Sequence, residues 1–113
     1  MITLYGIPNC DTVRKARRWL DAQGIDYQFH DFRKQGLEES MLHGWVAELG
    51  WEALINRRGT SWRKLPEKER NEIDQNSAIR LMLENPTLIK RPVLELGPSH
   101  YVGFSETQYQ ELF

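Results

Sequence analysis

Apolar and polar positions along the chain change their period several times, and each change marks a different kind of element. Ile2 and Leu4 alternate with Thr3 and run into Gly6 and Pro8, the pattern of a short strand ending in a turn. Over residues 11–23 the apolar positions Val13, Ala16 and Leu20 recur at helical spacing with Trp19 beside them. Arg14, Lys15, Arg17 and Arg18 fill the other face, and Gly24 supplies a stop. Ile25, Tyr27 and Phe29 then alternate with Asp26, Gln28 and His30, which predicts a second strand. A helix separates the two strands, so they should lie parallel, joined by a right-handed crossover.

The helical period returns with Leu37, Met41, Leu42, Trp45, Val46 and Leu49, closed by Gly50. A short apolar turn over residues 51–55 leads into Asn56-Arg57-Arg58-Gly59-Thr60. Pro66 opens another helical stretch, and Ala78, Ile79, Met82 and Leu83 define a last one stopped by Asn85-Pro86. Residues 37–85 therefore read as a helical insertion. Beyond it, residues 93–96 and 100–104 flank Gly97-Pro98-Ser99 as an antiparallel hairpin. Ser105 and Gln108 form a capping box before a terminal helix carrying Tyr109, Leu112 and Phe113. The order is βα, β, helices, ββα: an α/β domain with a mixed sheet, whose core comprises residues 1–36 and 86–113.

Composition narrows the function classes. A chain of 113 residues fits one domain. Its net charge of -1 gives no global attraction to nucleic acid or anionic membrane. No apolar run approaches the roughly 18 residues that span a bilayer, and residues 1–5 lack the basic start of a signal peptide. A soluble, cytoplasmic monomer is expected, binding neither nucleic acid nor membrane. His30, His43 and His100 lie far apart without metal-ligand spacing, so no metal is expected.

Cys10 is the only cysteine, which excludes an internal disulfide and requires any disulfide to be made with a partner. A lone cysteine in an ordinary setting is a small buried hydrophobe. This one sits where the first strand meets the first helix, among backbone N–H groups and a macrodipole that favour negative charge. Lowering a thiol pKa from ~8.5 gains at most roughly thirtyfold in thiolate at pH 7, partly offset by weaker nucleophilicity, so positioning must supply the rest of any rate. Arg14 is one turn into the helix and within reach of the thiol, although a basic run such as residues 14–18 is commonly a solvated face. Asp11 is expected to point away from the thiol, because a carboxylate beside it would oppose ionisation.

Four ordered motifs carry a resemblance: Pro8-Asn9-Cys10-Asp11-Thr12, Arg57-Arg58-Gly59-Thr60-Ser61-Trp62-Arg63, Leu88-Ile89-Lys90-Arg91-Pro92-Val93 and Gly103-Phe104-Ser105-Glu106. Together they resemble the arsenate reductase and Spx-like family, and within it the YffB branch, over essentially the whole chain. The resemblance implies a thioredoxin-like fold with a helical insertion and a nucleophilic cysteine at Cys10. It also implies arginines around the cysteine, which suits a thiolate and a bound oxyanion or carboxylate. One falls on Arg58, with Arg57 leaving the register open by one position, and one on Arg91. Two expected residues are absent: Gly6 stands where the arsenate reductases carry a histidine, and Gly103 where they carry a last arginine. The position three after Cys10 is Val13, so the Cys-x-x-Cys pair of regulatory Spx members is missing too.

The resemblance thus implies glutathione-dependent thiol reduction or transfer, with Cys10 forming a mixed disulfide that an external thiol resolves. Glutathione is the expected co-substrate, no cofactor is bound, and a glutaredoxin-like donor or a protein disulfide is a further expected partner. Arg58, Arg57, Arg91, Pro92 and Asn9 are the candidate binding residues around Cys10. An X-Pro bond is cis only about 5 to 6% of the time in folded proteins, but the thioredoxin-like resemblance implies a cis bond at Pro92. Such a bond would present the Arg91 backbone to an extended peptide such as glutathione. The competing readings are an Spx-like protein-interaction adapter without catalysis, and arsenate reduction, against which Gly6 and Gly103 count.

Overall fold

The computed structural model describes residues 2–113. The chain begins β1 (Ile2–Gly6), α1 (Asp11–Ala22), β2 (Gln28–Asp31) and the single turn α2 (Phe32–Gln35). Helices α3 (Glu39–Leu49), α4 (Trp51–Leu54), α5 (Thr60–Arg63), α6 (Glu67–Asn71) and α7 (Gln75–Glu84) follow, then a 3-10 turn (Pro86–Leu88). It closes with β3 (Val93–Leu96), β4 (Ser99–Val102) and α8 (Glu106–Leu112). Two compact units result, residues 2–36 with 91–113 and residues 37–90.

The first unit is built on a four-stranded sheet of order β2-β1-β3-β4. β1 pairs parallel with β2, as the intervening helix requires, while β3 pairs antiparallel with both β1 and β4. This mixed sheet with α1 and α8 is the thioredoxin-like arrangement. Alternation along the strands sorts the two faces. Leu4 and Leu94 join Ala16 and Leu20 of α1 and Tyr109 of α8 in one fully buried cluster. Each large side chain there contributes about 1.5–3 kcal/mol by leaving water. The opposite face carries polar groups beside the buried Val93: His100 contacts Glu95 at 3.1 Å, Tyr5 bonds the same carboxylate, and the Tyr5 and His30 rings lie 4.9 Å apart.

The second unit is helical. Its buried residues include Leu42, Trp45 and Val46 of α3 and Ala78, Ile79, Leu81 and Met82 of α7, with Leu81 rather than the expected Leu83 completing the α7 stripe, and Leu54, Ile55, Leu88 and Ile89 beside them. A reciprocal capping box starts α7: Ser77 donates its N–H to Asp74 at 2.9 Å, and Asp74 donates its N–H to Ser77 Oγ at 3.0 Å. Hydrogen bonding from Ser77, its backbone N–H first, holds the Asp74 carboxyl below its ordinary value.

Several boundaries differ from the sequence expectation. The insertion runs to Lys90 rather than to residue 85, because Ile55 bridges Ile89 and the N–H groups of Asn56 and Lys90 donate to Leu88 and Leu54. Asn85-Pro86 does end α7, but the chain stays within this unit for one further turn. β2 begins only at Gln28, where its register with Thr3 starts. β4 is Ser99–Val102 rather than 100–104, since Gly103 turns the chain with φ +83°. Gly97, with φ +60°, followed by Pro98, makes a two-residue hairpin loop, the geometry that demands glycine first.

Candidate active site

β1 delivers the chain to Gly6, and residues 7–9 turn it directly into α1. The N–H of Cys10 donates to the Ile7 carbonyl at 3.2 Å, and the Cys10 carbonyl accepts the first helical bond, from Arg14 N–H, at 2.9 Å. Cys10 is thus the N-cap residue of α1, with extended φ -95° and ψ 129°. A cap residue leads the exposed N–H groups of the first turn, so its side chain sits where those donors converge.

Gly6 lets this happen at close range. A Cβ there would lie 2.9 Å from Val13 Cγ2, so the missing side chain is what allows α1 to start against the end of β1. Val13 is fully buried, and its backbone N–H is one of the groups whose dipole favours the Cys10 thiolate.

The thiol is half-buried, and burial is the largest single influence on it, opposing ionisation. Val13 N–H, the Arg91 guanidinium through both a hydrogen bond and its charge, and Thr12 N–H together outweigh burial. The net effect lowers the Cys10 pKa below the ordinary thiol value. None of the contacts from the first turn is a full capping hydrogen bond to the side chain, so their influence is that of nearby oriented dipoles.

Arg14 does not serve the thiol. Its Nη2 donates to the Asn9 carbonyl at 3.2 Å and to Asp11 Oδ1 at 2.7 Å. Asp11 is 87% exposed and carries this ion pair outward, as its expected orientation requires. Asn9 therefore contributes a held backbone carbonyl, while the residue itself is exposed.

The Arg91–Pro92 peptide is cis, and Gly103 N–H donates to the Pro92 carbonyl at 2.8 Å. Gly103 adopts left-handed backbone that an arginine would enter only with strain. Both departures from the arsenate reductase pattern therefore have physical causes in this chain: Gly6 has no room for a side chain, and Gly103 has a backbone suited to glycine.

Cys10, Asn9, Arg91 and Pro92 all belong to the first unit, and Cys10 and Arg91 are in direct contact. Arg57 and Arg58 belong to the second, on the turn between α4 and α5. There the Arg57 guanidinium lies 5.5 Å from the Trp62 ring centroid and 6.0 Å from that of Trp51. The Arg58 backbone is fixed by Asn56 Oδ1 and by Arg63, and its guanidinium makes no ion pair among the described residues. Among the described residues no cluster of metal-ligating side chains exists, and no helix is long and apolar enough to cross a membrane.

A thioredoxin-like unit with a stabilised thiolate at the start of its first helix defines the class. Residues 5–112 match the ArsC family, and the chain belongs to that family. It is similar to a solved structure titled YFFB protein, at 47% identity over 98% of this chain and 97% of that one, with a TM-score of 0.94. A solved arsenate reductase (ArsC) related protein from Brucella melitensis is 50% identical over 97% and 92% of the two chains, with a TM-score of 0.83. The global transcriptional regulator Spx of Streptococcus pyogenes is 31% identical over 96% of this chain and 81% of its own length.

Proposed function

We propose that this protein catalyses glutathione-dependent thiol transfer, with Cys10 as its nucleophile. The observation that carries this reading is the lowered pKa of a half-buried cysteine held between helix N–H groups and the Arg91 guanidinium. The Cys10 thiolate attacks one sulfur of a substrate disulfide of the form R–S–S–glutathione. That S–S bond breaks, a Cys10–glutathione disulfide forms, and the substrate leaves as a thiolate that takes a proton from solvent. A second glutathione thiolate then attacks the glutathione sulfur of the mixed disulfide, which regenerates Cys10 and releases oxidised glutathione. The second thiol must come from outside, because the chain has only one cysteine.

In this reading Arg91 stabilises both the attacking thiolate and the thiolate that departs in the second step. Arg58, carried over from the family resemblance, serves as a contact for a glutathione carboxylate, and its guanidinium is uncommitted where that of Arg57 faces two indole rings. Turnover of a glutathionylated peptide with glutathione is expected to fall by more than about 10³-fold in Cys10→Ser, and full activity in that variant would sink the mechanism. Arg58→Gln is expected to raise KM for glutathione with kcat unchanged, read from initial rates.

A second reading follows from the similarity to Spx: a non-catalytic adapter for a protein partner. An adapter keeps its partner in pulldown when Cys10 is serine and shows no turnover in the wild type. Arsenate reduction is disfavoured by Gly6 and Gly103, and a glutaredoxin-coupled assay with arsenate checks it.

A further inference from the structure

A groove of about 580 Å³ runs between α1 and α8 in the first unit, and none of Cys10, Arg91 or Pro92 lines it. Its walls include Lys15, Arg18 and Trp19 from α1, with Phe104, Glu106 and Gln110 opposite. Helix α1 carries four basic residues over 14–18, and their partners separate them into two pairs. Arg14 is bound to Asp11 and Asn9, and Arg17 lies 4.2 Å over the Phe29 ring while donating to the Tyr27 hydroxyl at 3.2 Å. Lys15 and Arg18 are exposed and make no ion pair among the described residues, and both line the groove. The two uncommitted cations of this helix therefore stand on one rim.

The floor is aromatic and fixed from below. Trp19 meets Tyr109 edge-on at 5.7 Å, Phe104 meets Tyr109 edge-on at 4.7 Å, and Phe113 flanks Trp19 at 5.8 Å. Trp19 and Phe104 remain partly exposed. A pre-ordered aromatic floor beside a cationic rim suits an apolar anchor flanked by carboxylates, the pairing that marks strong points of protein interfaces. From Lys15 to Gln23 the groove follows α1 for about 12 Å, room for roughly four residues of extended peptide. Glu106 on the other rim confines acidic groups to the α1 side and disfavours a uniformly anionic ligand.

We propose that the α1/α8 groove docks an acidic segment of a partner protein, with one aromatic or leucine side chain seated on Trp19 and Phe104 and its carboxylates against Lys15 and Arg18. Nucleic acid fits less well. Two cations neutralise too few phosphates for appreciable affinity, the opposing Glu106 repels a phosphate backbone, and the chain as a whole is slightly acidic. The proposal is independent of the thiol chemistry.

Selection of random dodecapeptides displayed on phage against the full chain tests it. Enriched peptides are expected to carry two or more Asp or Glu around a Phe, Trp or Leu, and to shift the Trp19 indole N–H resonance on titration. The double variant K15E/R18E should bind them about tenfold or more weakly, and K15Q/R18Q less weakened, with affinity falling as salt rises. Cys10→Ser should bind them unchanged. The proposal is overturned if no peptide is enriched, if enriched peptides lack acidic residues, if they bind K15E/R18E equally well, or if Cys10→Ser abolishes their binding. Binding of a single-stranded oligonucleotide in place of peptides, lost in the same double variant, also overturns it.

Discussion

Cys10 and Tyr109 are ionisable groups of the same compact unit, both withdrawn from water, and the fold drives them in opposite directions. Burial opposes charge at each. At Cys10 two backbone N–H groups and the Arg91 guanidinium outweigh it, and the pKa falls. At Tyr109 the side chain is 0% exposed, its hydroxyl has no hydrogen-bond partner among the described residues, and burial alone lifts the pKa above the ordinary 10.0. Cys10 is half-buried and supplied with donors, whereas Tyr109 is fully buried and has none among the described residues. The end of the core that meets the start of α1 has them; the end under α8 does not.

Gly6→Ala should disturb the Cys10 end most. The added methyl meets Val13 at 2.9 Å and forces helix or strand to shift, a destabilisation of about 2 kcal/mol measured by urea unfolding. Because Val13 N–H moves with its residue, the Cys10 pKa should rise in the same variant. An unchanged urea midpoint would show that the contact is soft.

Arg91→Gln removes the charge while keeping a polar, shorter side chain. The thiolate loses its cation, so the pKa rises, and at pH 7 a smaller fraction is ionised. Alkylation by iodoacetamide at pH 7 should therefore be slower than in the wild type. In the wild type the rate should climb with pH to a midpoint below that of an ordinary thiol, and the variant's midpoint should lie higher. Coincident profiles would assign the low pKa to the helix start alone.

Tyr109→Phe acts at the other end and should stabilise. It deletes a buried hydroxyl without a partner and keeps the ring that Trp19 and Phe104 pack against, a gain of about 1 kcal/mol in urea unfolding. A loss of stability would mean that the hydroxyl is satisfied in solution.

The contrast was only half legible in the sequence. Strand alternation and the helical stripes of α1, α3 and α7 announced the main elements, because long amphipathic segments carry their own period. The single turns α2, α4 and α5 are four residues each, too short for a repeat, and are held by caps such as Asp31 on Arg33 N–H or by packing. Cys10 stood out by its position at a strand–helix junction, and Arg91 only through resemblance, since nothing within Lys90-Arg91-Pro92 says that the guanidinium reaches back to the first helix. Arg14 lies one turn from the thiol in sequence, and its ion pair with Asp11 keeps it on the solvated face that a basic run predicts. Tyr109 read as one more core aromatic, because a hydroxyl's lack of partners depends on tertiary packing.

The place of Cys10 in α1 has a consequence for how the molecule divides its favourable interactions. A helix start ordinarily holds a serine, threonine or aspartate whose oxygen closes the first turn, and a cysteine whose side chain makes no such bond leaves that turn less secure. Cys10→Ser should therefore be inert in thiol transfer yet more resistant to unfolding by about 0.5–1 kcal/mol. Folding alone would favour the oxygen at this position. The sulfur marks a point where the chain gives up some durability and keeps an open, reactive group at the mouth of its first helix.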